Sequence, residues 1–470
     1  MRSSRLAAAV NDTPRVPRVP RGASLVRIHV VGIGGTGMSA IARILLARGH
    51  TITGSDTGSW PLAEALARDG AIVHREFDAA NVKGVDVVLR SSAYGETNPE
   101  VKAAHDLGVL VWKREDAWRE LSRGERVVAI AGTHGKTTTT ALTWTALRAG
   151  GIDASLICGA PLRDLGTNAY AGRDRTLVIE ADEYDRTFLA LDPDVAIVTN
   201  VDHDHVDVFP TKAEYDAAFR QFSARITGTL VACADDPGAR RLEGKRTVRY
   251  GFDAGADFRL SERTDSGVGQ TFLLDSTAGR ARVTVKLAGI HNALNASAAV
   301  AAAIACGVPM ATAADAFHSF AGTSRRLEPL GDAGGVIVID DYAHHPAEIR
   351  ASIAAVRPRV AAGGRIVAVF QPHTPSRLNA FFDDFVAALA AADERVVVET
   401  FASAREQVGD DGAKRLAERA GGAYAADIES AAQQVARRVH RGDVVLILGA
   451  GDVRPVGERL LALLASGSPA

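Results

Sequence analysis

Val127–Thr140 reads VVAIAGTHGKTTTT: a β-branched apolar run, a loop carrying two glycines, a lysine, and then a row of hydroxyls. The run Val127–Ile130 predicts a buried strand, and the hydroxyl-rich stretch after Lys136 predicts a helix. A strand that turns on glycine into a helix makes a phosphate cradle, because the first N–H groups of the helix and its dipole converge on one anion. Gly132 and Gly135 let the backbone approach that anion, with Thr133 and His134 between them. Lys136 can reach terminal phosphates, and Thr137, followed by Thr138, can offer a hydroxyl to Mg²⁺. The spacing departs from the standard P-loop, since Ile130 stands five residues before Gly135 where a glycine is expected. A bare strand-to-helix connection uses the same residue types, so the ligand has to be argued from the rest of the chain.

Towards the N-terminus the order strand, glycine turn, helix, strand recurs in VRIHVVG, IGGTGMSA, IARILLARGH and TITGSD. Gly32, Gly34 and Gly37 form a GxGxxG pattern, with Gly35 inside it. Asp56 follows Gly37 by about the 20 residues expected of a ribose-binding carboxylate. Taken alone, this is the fingerprint of an NAD-dependent dehydrogenase or a purely structural turn. A separate phosphate loop at Lys136 redirects it to a different nucleotide-bearing substrate. The next strand, VDVVLRSSAY, ends in Ser91 and Ser92, at the carboxyl edge where such sheets bind ligands.

Towards the C-terminus, LVIEADE (Leu177–Glu183) and VAIVTNVDHDHVD are strands running into Glu180, His205 and further acids. Carboxylates and an imidazole beside a phosphate loop suit Mg²⁺ on the β- and γ-phosphates; solvated acidic loops are the plain alternative. The DHDH string also resembles a zinc cluster, but oxygen ligands dominate and the phosphate site calls for a hard ion. In GIHNALNA the residues Asn292 and Asn295 share a face near a helix start, where they either read an adenine edge or cap the helix. SRRLEPL carries Arg326, either half of a surface charge pair or a cation entering the γ-phosphate site. The strands VIVIDDYAHHP and RIVAVFQPHTPSR end in Asp341, Tyr342, His344 and His345, and in His373 and Arg377. A further strand, DVVLILGAGD, completes a second set of strands alternating with helices, which implies a doubly wound parallel sheet.

With 470 residues and about 150 per domain, three domains are expected. The boundaries fall at 25–123, 124–322 and 323–470, after a basic, proline-containing tail over 1–24 read as disordered. Apolar residues make up 47% of the chain, yet no run approaches the roughly 20 needed to span a bilayer. A net charge of -2 gives no reason to expect nucleic acid or an acidic membrane as partner. Cys158, Cys233 and Cys306 lie far apart, in no metal spacing, which suits a reducing, cytoplasmic setting.

GIGGTGMS, GTHGKTTT, EADE, TNVDHDHVD, GIHNALNA, RRLE, DDYAHHPAEI and FQPHTPSR occur in the order found in the Mur ligases of peptidoglycan synthesis, which the chain resembles from about Val26 onward. The resemblance implies an α/β protein of three domains: an N-terminal Rossmann-like UDP-binding domain, a central P-loop ATPase-type domain, and a C-terminal Rossmann-like domain for the amino acid. It implies ATP and Mg²⁺ as cofactors, UDP-N-acetylmuramate and L-alanine as substrates, and a monomer or weak homodimer. By the same resemblance Lys136 contacts the β- and γ-phosphates, with Gly132, Thr133, His134, Gly135, Thr137 and Thr138 around them. Thr137, Glu180 and His205 arrange Mg²⁺. Asn292 and Asn295 sit by the adenine, and Arg326 and Asp341 close over ATP. Gly32, Gly34, Gly35 and Gly37 cradle the UDP pyrophosphate, with Asp56 and Ser91 nearby. Tyr342, His344, His373 and Arg377 surround the amino acid, His344 in a catalytic role. Tyr184, in EADEYD, departs from the serine usual in the alanine-adding branch and is shared with the murein tripeptide recycling ligases. FQPHTPSR, and the lack of a lysine over Tyr215–Ile226, follow the alanine-adding branch.

Overall fold

The computed structural model describes residues 26–58, 60–401 and 411–466. The expected basic tail lies outside these residues. Among them the strands form three sheets.

The N-terminal sheet runs, edge to edge, Ile72–His74, Thr51–Ser55, Arg27–Val31, Val87–Arg90 and Leu110–Trp112, all parallel. Its order reverses at Arg27–Val31, and the glycine turn that follows lies at this switch point, where open α/β sheets bind ligands. Helix Thr36–Ala47 leaves the turn and buries Met38, Ile41, Ile44 and Leu45 on one stripe.

In the central sheet of ten strands, Arg126–Ala131 lies between Val195–Val198 and Thr176–Glu180, all three parallel. Their carboxyl ends therefore bring the phosphate loop, the EADE acids and the TNVDHDH string to one edge. The far end of the sheet is an antiparallel meander, Phe258–Asp265, Gln270–Ser276 and Gly279–Val285, in which Phe258–Asp265 shows the alternating burial of a strand with one wet face. The parallel arrangement therefore ends at Phe258–Asp265 on this side, and on the other side at Ser155–Leu162, which pairs antiparallel with the edge strand Thr167–Tyr170.

The C-terminal sheet runs Glu328–Ala333, Val336–Asp341, Val444–Leu448, Ile366–Phe370, Glu394–Val398 and Ala423–Ala425, parallel except for the first pair. The apolar cores are divided unequally. One continuous cluster joins the N-terminal and central sheets, from Ile28 to Phe320, whereas the C-terminal sheet has separate clusters on its two faces. The first two sheets are thus one packed body, and the third meets them through polar contacts around the clefts and through smaller packing contacts, such as His134 against His345 and Arg359 against Gly267.

Candidate active site

The phosphate loop is held open by its neighbours. Gly132 has φ +132°, and a Cβ there would collide with Thr199 Oγ1, so the strand can pass only as glycine. Gly135, at φ +81°, would put a Cβ 2.7 Å from Asn295 Oδ1. Asn200 Oδ1 accepts from His134 N at 2.8 Å, and Thr199 Oγ1 donates to His134 O at 2.6 Å, so the string TNVDHDH braces the loop from the adjacent strand. The Thr133 hydroxyl is used inside, at 2.8 Å from both Asp202 O and Tyr215 Oη. Lys136 Nζ donates to Gly132 O at 2.7 Å and Thr133 O at 3.0 Å, and pairs with Glu183 Oε2 at 2.8 Å. Burial opposes its charge, but Glu183, Asp182 and Glu180 outweigh burial and hold its pKa above the ordinary value.

Around this lysine the acids are shared out. Thr137 Oγ1 donates to Glu180 Oε1 at 3.0 Å, and Gly159 N donates to Glu180 Oε2 at 2.6 Å. Burial pushes the Glu180 pKa up against the pull of Lys136. His205 reaches Glu183 Oε1 at 3.3 Å from a left-handed backbone at φ +52°. Burial works against its charge, and the Glu183 hydrogen bond overcomes it, so the imidazole pKa is raised. Asp182, Glu183 and His205 bring ligand atoms within 4.8 Å of one another.

A cleft of about 440 Å³ opens where the three sheets meet. Gly35, Gly37 and Ser91 line it from the N-terminal sheet's side, His205 from the central one, and Tyr342, His344, His373 and Arg377 from the C-terminal one. Arg377 Nη2 and Nε donate to Asp204 Oδ1 at 2.9 and 3.1 Å, joining the C-terminal sheet to the central one. Burial disfavours the Asp204 charge, but Arg377 holds its carboxyl well below the usual range. His344 Nδ1 lies 3.0 Å from Tyr342 O, and burial drops its pKa to about 3, so the ring is neutral and Nε2 is an acceptor. Gly32, Gly34 and Asp56 lie behind this wall. Asp56 Oδ2 accepts from Gly34 N at 2.9 Å, and Oδ1 from Thr57 N at 2.9 Å and from Tyr94 Oη at 3.3 Å, so both oxygens of the carboxylate expected at the ribose already brace the glycine turn and its neighbours.

A second cavity, of about 210 Å³, lies between the phosphate loop and the C-terminal sheet, lined in part by His134, Gly135, Thr138, Asn292, Asn295 and Arg326. Asn295 Nδ2 donates to Asn292 Oδ1 at 3.1 Å, confirming the shared helix face. His291 Nδ1 and Thr323 Oγ1 also border the cavity and have no hydrogen-bond partner among the described residues. Polar edges without partners around a cavity of this size suit a purine base. Arg326 Nη2 donates to Thr137 Oγ1 at 3.4 Å and its guanidinium lies 5.0 Å from the Tyr342 ring centre, so the arginine does enter the phosphate site from the next sheet. Asp341 borders the same cavity, but its oxygens accept from Leu327 N at 2.7 Å and Ala343 N at 2.9 Å, and burial raises its pKa to about 6. It sets the course of the chain around Arg326.

Three stretches match described families: residues 27–126 the Mur ligase family catalytic domain, 130–303 the Mur ligase middle domain, and 325–451 the Mur ligase glutamate ligase domain. The UDP-N-acetylmuramate–L-alanine ligase of Chloroflexus aggregans is 42% identical over 466 residues, spanning 93% of this chain and 98% of the relative. The chain belongs to the Mur ligase family. The enzyme of the same name from an Arthrobacter species is 41% identical, over 95% of this chain and 97% of its own. Among solved structures, the UDP-N-acetylmuramate–alanine ligase of Thermotoga maritima superposes with a TM-score of 0.81 at 28% identity, covering 94% of this chain and all of that one. A murein peptide ligase from Psychrobacter arcticus gives 0.72 at 25% identity, covering 94% and 99%.

The donor set of this Mur ligase fits Mg²⁺. The Thr137 hydroxyl, the carboxylates of Glu180, Glu183 and Asp182, and one imidazole are hard or borderline ligands beside a lysine placed for phosphate. Several residues of the site carry no sequence signal. Glu183 stands in EADE three residues after Glu180, but only the fold shows that it, not Glu180, pairs with Lys136. Arg114 lines the cleft beside Gly37 and pairs with Asp182 Oδ2 at 3.0 Å. Glu348 accepts from His134 Nδ1 at 3.2 Å across the sheets; burial opposes the His134 charge, but Glu348 and Asp202 raise its pKa to about 9. Arg114 belongs to no motif, and Glu348, the acid of DDYAHHPAEI, has no role that the sequence alone announces.

Proposed function

We propose that this Mur ligase joins L-alanine to the lactyl carboxylate of UDP-N-acetylmuramate, with ATP going to ADP and phosphate, in peptidoglycan precursor synthesis. The observation that carries this reading is the cleft that unites Gly35 and Gly37 of the first nucleotide loop with His373 and Arg377, beside the phosphate loop. It is supported by relatives of that activity matching the chain nearly end to end. In the first step a carboxylate oxygen attacks the γ-phosphorus and ADP leaves. In the second, the alanine nitrogen attacks the acyl phosphate carbon, phosphate departs, and the amine loses a proton.

The barrier to the first step is charge: one anion approaches another. Lys136 and Arg326, arriving from opposite sheets, offset charge on the transferring oxygens without reorganising at the moment of reaction. Mg²⁺ held by Thr137, Glu180 and His205, with Glu183 alongside, would neutralise the phosphate oxygens further. Arg377 offers a guanidinium to the amino acid carboxylate. The neutral His344 is a weak base, so its part is to accept a hydrogen bond from the amine and orient it. Asn292 and Asn295 hold the base of ATP. We assign the domains to 25–123, 124–322 and 323–470, and the protein to the cytoplasm as a monomer or weak homodimer.

One observation favours a second reading within the family, the recycling of a murein tripeptide: Tyr184 Oη donates to Asp207 Oδ2 at 2.9 Å inside the cleft. The two are separated by following ADP release and product mass with UDP-N-acetylmuramate, ATP and Mg²⁺, supplying L-alanine or L-Ala-γ-D-Glu-meso-diaminopimelate. Turnover with L-alanine is expected; turnover only with the tripeptide assigns recycling.

A further inference from the structure

A third cavity, of about 310 Å³, lies between the central and C-terminal sheets beside the link that carries Arg326. Arg163 and Lys286 reach it from the central side, Arg359 from the C-terminal side, and Arg326 from the link itself, against a single carboxylate, Glu328. That carboxylate is already taken: Glu328 Oε2 accepts from Arg454 Nη1 and from Arg325 N, each at 2.8 Å. Arg163 Nη1 donates to Ala321 O at 3.2 Å. Lys286 and Arg359 have no hydrogen bond or ion pair among the described residues.

Arg359 is the telling member. It is half-buried, and burial alone acts on its guanidinium, lowering its pKa with no carboxylate to oppose the effect. Its stem is accommodated by Gly267, at φ +78°, where a Cβ would come within 2.6 Å of Arg359 Cγ. A guanidinium taken partly out of water without a counter-charge is unfavourable. The cavity as folded therefore has surplus positive charge on its central and C-terminal sides, from the exposed Lys286 and the half-buried Arg359, whereas the charge of Arg326 is met by Glu348, Asp341 and Glu180. None of Gly132–Thr137 lines it, so the phosphates of ATP are provided for elsewhere.

We propose that this cavity binds a compact polyvalent anion, a diphosphate or a phosphate monoester, as a second and regulatory site. A planar fork on Arg359 and a point charge on Lys286 are the donor types that hold phosphate oxygens. The walls come from both sides of the link, so an anion bridging them favours arrangements that hold the two sides at this separation over any that part them, which is the requirement for coupling. Arg326, Thr323, Leu287 and Leu327 border both this cavity and the nucleotide cavity, so the coupling is read at the nucleotide.

The test is calorimetric titration of the full chain, saturated with a non-hydrolysable ATP analogue and excess Mg²⁺, with inorganic pyrophosphate as probe. One pyrophosphate per chain is expected. The K286A/R359A variant binds at least ten-fold more weakly, the charge-retaining K286R/R359K variant keeps binding, and both turn over normally without pyrophosphate. In the unaltered protein pyrophosphate shifts the KM for ATP at least two-fold at constant free Mg²⁺, and in K286A/R359A it does not. Parallel titrations with orthophosphate and phenyl phosphate identify the source: tighter ester binding points to a phosphorylated metabolite, tighter orthophosphate binding to the free ion. Absence of binding, equal affinity in K286A/R359A, or binding lost whenever nucleotide fills its own site overturns the proposal.

Discussion

Lys136 shows how one side chain is prepared for charge before any substrate arrives. Two loop carbonyls and Glu183 fix its position, so the ammonium does not have to be ordered during the reaction. Lys136→Ala removes that donor and should cost at least about 3 kcal/mol of transition-state stabilisation, roughly a hundred-fold in kcat. The measurement is ADP release at a temperature where circular dichroism shows the variant folded, and near-normal turnover would end the assignment. His134, two residues earlier, gives a pH signature. Its pKa is raised from 6.5 to about 9, so the stabilisation it draws from Glu348 and Asp202 is complete below pH 6.5 and is lost as pH rises through about 9. Glu348 is held well below 4.5, so its share is present above pH 4.5 and is lost as pH falls further. The difference in unfolding temperature between the unaltered protein and His134→Gln should therefore be steady from about pH 5 to 6.5 and shrink towards pH 9.5. A gap that does not change over this range would contradict the ion pair.

At the scale of elements, the phosphate loop exists because the strand before it ends on a residue that tolerates φ +132° under the Thr199 side chain. Gly132→Ala adds both a disfavoured backbone and a collision, so we expect destabilisation of about 1–3 kcal/mol and loss of nucleotide binding. Chemical denaturation and titration with an ATP analogue check the two parts separately; an alanine variant that binds normally would show that the loop can shift. The same element explains what was legible in the sequence. Strands ending in glycine, acid or histidine announce themselves, because burial demands a β-branched run and the ligand edge demands the polar residues that follow it. Val127–Thr140, TNVDHDH and GIHNALNA are each readable within about fifteen residues for that reason. The meander Phe258–Val285 carries no such chemistry and left no sign in the motifs. Asp56 was legible as an acid at the right distance, yet distance along the chain does not say whether a carboxylate faces the ligand or its own loop. Arg114 with Asp182, Arg377 with Asp204, and His134 with Glu348 are pairings between sheets, and no local periodicity encodes them.

Those pairings matter most for the molecule as a whole. The N-terminal and central sheets share one apolar core, so their relative placement is set by area removed from water and changes little. The C-terminal sheet keeps its own cores and meets the others through Arg326 on Thr137, His134 on Glu348 and Arg377 on Asp204. Polar contacts exchange with water more readily than an apolar core does, so we expect the molecule to open here for its substrates and to close around them. The link itself stores strain, with Arg325 at φ +58° and Leu327 at φ +48° on either side of Arg326. Among the three contacts Arg377 is the most deeply enclosed, and removing one partner of a buried pair strands the other charge, at roughly 3–5 kcal/mol. Asp204 can regain water only if the C-terminal sheet moves away. Arg377→Ala should therefore open the molecule without unfolding it: small-angle scattering shows a larger radius of gyration without substrates, and the KM for L-alanine rises at least ten-fold. Arg114→Ala is the control, because its contact with Asp182 lies within the body that shares a core; there the radius stays unchanged. Equal radii for Arg377→Ala and the unaltered protein would mean that the remaining contacts, the packing of His134 on His345 and of Arg359 on Gly267 among them, hold the sheets together, and closure would then have to be sought elsewhere than at Asp204.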